Sequence, residues 1–133
     1  MDGGLKVRIL CIDDEPGILD MLSMVLASEP DFETRTLVDV RRWRELVEGF
    51  RPDVILVDFR MPAMRGDRFL AALHASGLRS KVCGVALFSA SHLTLEQARA
   101  FGADAFFEKP IDLDELIRTI RALAPPSSLP CAG

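Results

Sequence analysis

The chain has 133 residues, 49% of them hydrophobic, and its 16 basic and 20 acidic side chains give a net charge of −4. This length is typical of one domain that buries its own core, so extensive disorder is not expected. The mild acidity gives no reason to expect a surface for nucleic acid or anionic membranes, since such surfaces are basic. We therefore expect proteins or small molecules as partners.

Cysteine content and the amino-terminal sequence both bear on the cellular compartment. The three cysteines, Cys11, Cys83 and Cys131, cannot all pair with one another, and none belongs to a closely spaced pair typical of zinc sites. Acidic residues occupy positions 13–15, where a secretory signal needs an apolar stretch, and no run of about 18 apolar residues is present. These features predict a cytoplasmic protein that does not span a membrane.

The first two units of the chain each predict a strand followed by a helix. Residues 7–12 form a short run of branched apolar residues, which is typical of a strand buried on both faces. Pro16 suits the first turn of the helix that follows. A second strand is predicted at residues 32–38. The helix after it is expected to be ended by Gly49 and Pro52, and its apolar face comprises Trp43, Leu46, Val47 and Phe50.

The third unit repeats this pattern at the most hydrophobic part of the chain. Residues 54–57 predict a buried strand that leads directly to Asp58, and the helix that follows is expected to close near Gly77. A fourth strand is predicted at residues 82–88, where it leads to Ser89. Two buried strands therefore end next to polar side chains.

The last part of the chain predicts a weak helix, a strand and a final helix. The fourth helix spans about residues 93–101, with Gly102 as a left-handed stop. Residues 105–108 predict a fifth strand that ends at Lys109. Asp112 then begins the last helix with a pattern similar to a capping box.

This alternation of strands and helices predicts the fold. Each return to a parallel strand needs a right-handed crossover, which places helices on both faces of the sheet. We predict an α/β fold, a doubly wound sheet of five parallel strands with five helices in a three-layer sandwich. Residues 125–133 have the Pro- and Ser-rich composition of a flexible linker, so the predicted domain spans residues 1–124.

Polar residues follow several of the predicted strands. Because parallel strands end at the same edge of a sheet, where open α/β sheets bind ligands, we expect these side chains to meet. Three neighbouring carboxylates must either take up protons or hold a cation, and Mg²⁺ prefers such oxygen ligands. The set comprises Asp13, Asp14, Asp58, Ser89 and Lys109.

The same residues predict a centre for phosphoryl transfer. The ammonium group of Lys109 and the hydroxyl group of Ser89 both suit the oxygens of a phosphoryl group. Asp58, at the middle strand, is the best nucleophile for in-line attack on phosphorus. Asp13 and Asp14 form a pair that is better suited to holding the metal.

Several short motifs accompany these residues. They are the acidic turn at residues 13–16, Asp58 with Met61, Pro62 and Gly66, Ser89-Ala90, Gly102-Ala103-Asp104 with Phe106, and Lys109-Pro110. Together they resemble the receiver domain of bacterial two-component response regulators over about residues 6–123. The resemblance implies a flavodoxin-like strand order, 2-1-3-4-5.

The resemblance implies a role for each site residue. Asp58 would accept a phosphoryl group from a phosphohistidine of a sensor histidine kinase or a histidine phosphotransfer protein. Asp14, Asp58 and the backbone carbonyl of Arg60 would bind Mg²⁺ directly, with Asp13 acting mainly through water. The domain would catalyse only its own phosphorylation and dephosphorylation, and so would not be an enzyme in the usual sense.

The resemblance also implies a switch. Lys109 and Ser89 would contact the phosphoryl oxygens, and movement of Ser89 would let Phe106 rotate inward. This rotation would repack the face formed by the fourth helix, fifth strand and fifth helix, which would be the output surface for an unidentified downstream protein. The stretch from Ser89 to Lys109 is shorter than is usual in the family, so a shortened or displaced fourth helix is expected.

Two alternative functions use the same residues. A pseudo-receiver would serve as a docking scaffold without phosphorylation, but the retained acids, Ser89 and Lys109 argue against it. A magnesium phosphatase similar to haloacid dehalogenases would also form an aspartyl intermediate, but the chain lacks the cap domain of those enzymes and its acceptor loop differs. No direct nucleic-acid contact is expected, and the sequence leaves open a phosphorylation-dependent homodimer.

Overall fold

A computed structural model describes residues 6–90 and 93–125, and within them five strands alternate with five α-helices. The strands are β1 (Val7–Ile12), β2 (Phe32–Leu37), β3 (Val54–Asp58), β4 (Gly84–Ser89) and β5 (Ala105–Glu108). The helices are α1 (Pro16–Leu26), α2 (Trp43–Phe50), α3 (Gly66–Ala75), α4 (Leu95–Ala100) and α5 (Leu113–Leu123). Short 3-10 turns precede α2 and β4, at Val40–Arg42 and Leu78–Lys81.

The five strands run parallel in one sheet with the order β2-β1-β3-β4-β5. From β1 the chain winds outward to the edge strand β2 and then returns across β1 to β3. The direction of winding therefore reverses between β1 and β3, which opens a crevice at the carboxyl ends of these two strands. This topology confirms the predicted doubly wound, flavodoxin-like sheet.

Side chains of the central strands alternate between two separate cores. In β1, Leu10 and Ile12 pack with residues of α2, α3 and α4, whereas Ile9 and Cys11 pack with residues of α1 and α5. All four side chains are fully buried. A buried aliphatic side chain stabilises a fold by about 1.5–3 kcal/mol, so both faces of the sheet need a layer of helices. The predicted three-layer sandwich is confirmed.

Helix α2 reaches Phe50, as its predicted apolar face requires, and of its two predicted stop residues only Pro52 acts. The helix includes Gly49 and continues to Phe50, after which Arg51 adopts a left-handed backbone with φ of 55°. The N–H of Arg51 still donates to the carbonyl of Val47 at 3.1 Å. Because Pro52 disfavours a helical conformation in the residue before it, the chain leaves the helix at Arg51 rather than at the glycine.

Helix α4 is shorter than predicted and has only six residues. Its start is fixed by a capping box: the hydroxyl of Thr94 accepts from the N–H of Gln97 at 3.0 Å, and the side chain of Gln97 accepts from the N–H of Thr94 at 2.9 Å. Gly102 has a φ of 102° and ends the helix as predicted. The short span between β4 and β5 therefore accommodates fewer than two helical turns.

Helix α5 begins as predicted, because the carboxylate of Asp112 accepts from the N–H groups of Asp114 and Glu115 at 3.0 and 3.1 Å. The predicted flexible tail lies outside the described residues, apart from Pro125. Among the helices of the described residues, none combines the length and apolar character needed to cross a membrane.

Candidate functional site

Three aspartates meet at the crevice between β1 and β3. Asp13 and Asp14 directly follow β1, and Asp58 is the last residue of β3, a strand paired with β1. One carboxylate oxygen of each residue lies within 4.8 Å of the others. Asp13 is fully buried and Asp58 is 4% exposed, whereas Asp14 is the most exposed of the three. The sheet thus brings together the acids that the sequence predicted to meet.

Asp13 carries a carboxylate that is only partly satisfied. Its Oδ1 accepts from the backbone N–H of Glu15 at 2.9 Å, but its buried Oδ2 accepts no hydrogen bond from any described residue. Burial raises the pKa of Asp13 to about 6, the charge of Asp58 adds to this effect, and the Glu15 N–H and Lys109 oppose it. A buried acceptor beside two further carboxylates is suited to a hard divalent cation, so the donor set fits Mg²⁺.

Lys109 lies among these carboxylates. Its Nζ is 3.5 Å from Oδ2 of Asp13, 3.5 Å from Oδ1 of Asp58 and 3.7 Å from Oε1 of Glu15. Its Nζ also lies 5.2 Å from the centroid of the Phe88 ring. Burial lowers the pKa of Lys109, but attraction to the three carboxylates outweighs this effect and raises it. Lys109 therefore stays protonated at neutral pH.

Burial and nearby positive groups have opposite effects on the pKa of Asp58. Burial raises its pKa above the usual aspartate value, whereas the Lys109 ammonium and the backbone N–H of Arg60 lower it in part. The carboxylate is therefore poorly solvated and close to a fixed positive charge. Such a group is a better nucleophile toward phosphorus than a fully hydrated carboxylate, provided that a cation neutralises its neighbours.

The sheet also places Ser89 and Lys109 together. Ser89 is the fully buried last residue of β4, which lies beside β3. Lys109 follows β5, and its peptide bond to Pro110 is cis. Backbone hydrogen bonds extend the sheet ladder into the site: Asp13 N–H to Leu37 O at 3.2 Å, Phe59 N–H to Phe88 O at 2.9 Å, and Lys109 N–H to Ser89 O at 2.9 Å.

The loop after Asp58 packs tightly against the start of α3. The N–H of Gly66 donates to the carbonyl of Phe59 at 2.8 Å. A Cβ at Gly66 would lie 2.7 Å from Cδ2 of Leu87, 2.9 Å from the carbonyl oxygen of Asp58 and 3.0 Å from Cα of Phe59. Only glycine fits this contact between the helix and the backbone of Asp58. The side chain of Arg60 is exposed.

Phe106 lies on β5 next to β4, with its Cα paired to that of Leu87. Its ring is partly buried and packs against the core shared with α2, α3 and α4, whereas that of Phe107 belongs to the opposite core. The structure therefore places Phe106 on the face of the sheet that α4 covers. Its rotation stays a prediction.

Sequence reasoning assigned no role to two residues around Lys109. Glu15 supplies a third carboxylate, and its membership of the acidic turn was the available signal. The ring of Phe88 lies beside the ammonium, yet strand alternation places Phe88 in the core shared with α1 and α5. No local pattern in the sequence indicates that contact, because it depends on where β5 ends.

Comparisons with known proteins identify the family. The family model for the response regulator receiver domain matches residues 9–121. The chain is 36% identical over 109 residues to the regulatory protein AtoC of Escherichia coli, covering 82% of this chain and 23% of that protein. It is 31% identical over 121 residues to the DNA-binding response regulator MtrA of Mycolicibacterium smegmatis, covering 89% of this chain and 50% of that protein. The chain thus spans about a quarter to a half of the length of these two relatives.

Solved structures agree with this match. The chemotaxis response regulator CheY4 of Vibrio cholerae superimposes with a TM-score of 0.77 at 25% identity, covering 89% of this chain and 98% of that one. A CheY-like receiver domain protein of Methanospirillum hungatei superimposes with a TM-score of 0.76 at 27% identity, covering 89% and 92%. The chain belongs to the response regulator receiver domain family, whose standard function is that of a phosphoacceptor in two-component signalling.

Proposed function

We propose that Asp58 is the phosphoacceptor of this receiver domain and that the phosphoryl donor is a phosphohistidine on a sensor histidine kinase or a histidine phosphotransfer protein. The observation that carries this proposal is the convergence at Asp58. Its carboxylate lies within 4.8 Å of ligand atoms of Asp13 and Asp14 and 3.5 Å from the ammonium of Lys109. No other group of three or more metal-ligating side chains occurs among the described residues.

Mg²⁺ fits this donor set. Asp13, Asp14, Asp58 and the backbone carbonyl of Arg60 would hold the ion, and the buried Oδ2 of Asp13 supports the assignment because it lacks a hydrogen bond within the described residues. When bound, Mg²⁺ supplies positive charge that offsets the carboxylates and the phosphoryl oxygens.

The side chains of the site perform complementary parts of the transfer. A carboxylate oxygen of Asp58 forms a bond to phosphorus while the bond from phosphorus to the imidazole nitrogen of the donor breaks. The ammonium of Lys109 stabilises negative charge on the phosphoryl oxygens, and Ser89 donates its hydroxyl hydrogen to one of them. Water later attacks the acyl phosphate and returns the Asp58 carboxylate and inorganic phosphate. The domain acts only on its own aspartyl group.

Signal output follows from a rearrangement on one face. Ser89 ends the strand next to that of Asp58, and Phe106 lies on the following strand against the core beneath α4. Movement of Ser89 toward the phosphoryl group would let Phe106 rotate inward and repack the surface of α4, β5 and α5. A downstream protein, or a second phosphorylated copy, would bind this surface.

The domain of residues 1–124 contains the whole site. We infer that it works in the cytoplasm through protein contacts and does not itself contact nucleic acid, consistent with its acidic balance. DNA binding belongs, by its name, to the longer relative MtrA. A protein-glutamate methylesterase of Chromohalobacter salexigens is 35% identical, but the chain covers only 30% of that protein.

A small acyl phosphate with Mg²⁺ tests the proposal through intact-mass measurement. The wild type should gain one labile phosphoryl group, Asp58→Asn should gain none, and the matched control Asp20→Asn, at an exposed aspartate of α1, should behave as the wild type. Absence of modification with every donor would favour the docking scaffold instead. Sustained release of phosphate from many equivalents of donor would favour the hydrolase.

A further inference from the structure

Two aromatic rings connect the loop after Asp58 to the end of α4. The rings of Phe59 and Phe101 are stacked, with centroids 5.8 Å apart and planes inclined by 15°. Phe59 directly follows Asp58 in the chain, and Phe101 is the residue that caps the carboxyl end of α4. The stack therefore joins the immediate neighbour of the proposed acceptor to a helix of the proposed output surface.

Both the backbone and the ring of Phe59 are tightly held. The backbone N–H of Phe59 donates to the carbonyl of Phe88 at 2.9 Å, and the carbonyl of Phe59 accepts from the N–H of Gly66 at 2.8 Å. The guanidinium carbon of Arg65 lies 5.4 Å from the ring centroid, and Arg65 is paired with Asp67 at 2.8 Å. The ring is only 9% exposed. A shift of the Asp58 backbone therefore moves this ring, because the side chain has little room to move independently.

Helix α4 itself buries little apolar surface. Ala98 is its only buried residue, and Leu95 is 43% exposed. Beyond the helix, Asp104 ties the chain to β4: its N–H donates to the carbonyl of Val85 at 2.8 Å, and its carboxylate accepts from the N–H of Val85 at 2.9 Å and from Arg79 at 2.7 Å. The side chain of Phe101 is thus one of few apolar groups that hold α4 against the rest of the domain.

We propose that the Phe59–Phe101 stack transmits the phosphorylation state of Asp58 to the carboxyl end of α4, along a route separate from Ser89 and Phe106. This inference rests on the proposed function of Asp58. Attachment of a phosphoryl group displaces the backbone at residues 58–60, and the ring of Phe59 moves with it. Because stacked rings cannot interpenetrate, Phe101 and the last turn of α4 follow.

Backbone amide spectra before and after phosphorylation test this route. Wild type, Phe101→Ala and the matched control Leu95→Ala are treated with acyl phosphate and Mg²⁺, and phosphoryl content is measured on the same samples by intact mass. Leu95 lies on the same helix and is similarly exposed, but it is not part of the stack. Phe101 is 37% exposed, so its truncation leaves both cores intact.

Phosphorylation should change the amide chemical shifts of residues 99–103, and we expect these changes to be at least twofold smaller in Phe101→Ala. The changes at Ser89 and Phe106 should persist in that variant. Leu95→Ala should respond as the wild type. Phe101→Leu serves if the alanine variant does not fold. Because leucine keeps part of the contact with Phe59, we expect a smaller fall at residues 99–103 than in Phe101→Ala, but still a fall relative to the wild type. An unchanged response in the Phe101 variants, or an equal loss in Leu95→Ala, would overturn this inference and leave the proposed function of Asp58 standing. A wild type that gains no phosphoryl group would overturn the proposed function, and this inference with it.

Discussion

The ammonium nitrogen of Lys109 lies 3.5 Å from Oδ1 of Asp58, and the same nitrogen lies 3.5 Å from Oδ2 of Asp13. These distances are longer than those of a strong charge-assisted hydrogen bond, so Lys109 is shared between two acids rather than committed to one. The ammonium can therefore turn toward an arriving anion without breaking a strong hydrogen bond. This arrangement suits a site in which a phosphoryl group arrives and departs.

Replacement of Lys109 by glutamine should slow phosphorylation without removing the acceptor. We expect the rate with a small acyl phosphate and Mg²⁺ to fall by about 10²-fold, because a preorganised donor to the phosphoryl oxygens is lost. Mg²⁺ should bind at least as tightly, since a competing cation beside the carboxylates is gone. Intact mass against time measures the rate. The control Lys81→Gln, at an exposed lysine, should match the wild type, and a wild-type rate in Lys109→Gln would refute the assigned role.

Mg²⁺ should stabilise the folded protein through Asp13. A ligand at ten times its Kd adds about 1.4 kcal/mol to the free energy of unfolding, and urea unfolding with Mg²⁺ or with EDTA measures this gain. Asp13→Asn keeps the acceptor for the Glu15 N–H but loses the buried charge, so the gain should shrink. Asp20→Asn should retain the full gain, and an equal loss in both variants would contradict the assignment of Asp13.

The metal-free protein should also respond to pH through Asp13. Burial raises the pKa of Asp13 from 3.8 to about 6, so the folded state binds this proton more tightly than the unfolded state. The free energy of unfolding should therefore fall as pH rises between these two values and then stay at the lower level, with no further change due to Asp13 at higher pH. Urea unfolding in EDTA across this range measures the slope. The slope should be smaller in Asp13→Asn than in the wild type. Identical slopes in the two proteins would rule out a raised pKa of Asp13.

Gly66→Ala should be destabilising because the new Cβ meets the backbone of Asp58 and Phe59. Overpacking of this kind costs about 1–3 kcal/mol, and the displaced Asp58 should also accept phosphoryl groups more slowly. Gly49→Ala is the matched control, since nothing lies within 4 Å of its Cβ and it lies inside α2. This control should gain about 0.5–1 kcal/mol from helix propensity. Urea unfolding of both variants measures the difference, and equal stabilities would contradict the close contact.

Arg121 joins the end of α5 to the start of β2 and should give a small pH-dependent stabilisation. Its hydrogen bonds to Asp31 lower the pKa of that carboxyl. The contribution is therefore present at neutral pH and is lost as pH falls below the usual aspartate pKa. Because the pair is largely exposed, Arg121→Met should cost less than about 1 kcal/mol at pH 7.

Urea unfolding at several pH values, with Arg118→Met as the exposed control on α5, measures this contribution. The difference between wild type and Arg121→Met should narrow in acid. Part of this difference in stability should persist at acid pH, because the guanidinium carbon of Arg121 also lies 4.6 Å from the ring centroid of Phe32. Arg121 also pairs with Glu29, so a difference that does not change with pH would contradict the ion pairs of Arg121 with both carboxylates.

Local sequence signals were sufficient for the order of elements and for the meeting of Asp13, Asp14, Asp58 and Lys109 at one edge of the sheet. The central strands β1, β3 and β4 were recognisable because they are buried on both faces and therefore mainly apolar. The parallel topology then placed the terminal residues of the strands together. Helix ends were less predictable. Gly49 carries the expected stop signal, but the restriction imposed by Pro52 acts on Arg51, and a glycine inside a helix costs too little to end it.

Two contacts between rings or charges distant in sequence could not be predicted. The stacking of Phe59 on Phe101 depends on the length of α4 and on its placement over the loop after β3. The contact of the Lys109 ammonium with the ring of Phe88 likewise depends on where β5 ends. Periodicity assigns a residue to a face of its own element, whereas these contacts depend on how two elements are set against each other.

The backbone hydrogen bonds that extend the sheet ladder into the site join it to β2, β4 and β5 as well as to the central strands. Every one of these pairings links segments far apart in the chain, so the acceptor geometry forms only after the last strand has been added. A partly synthesised or misfolded chain should therefore be unable to accept a phosphoryl group. Only fully folded molecules would then take part in signalling.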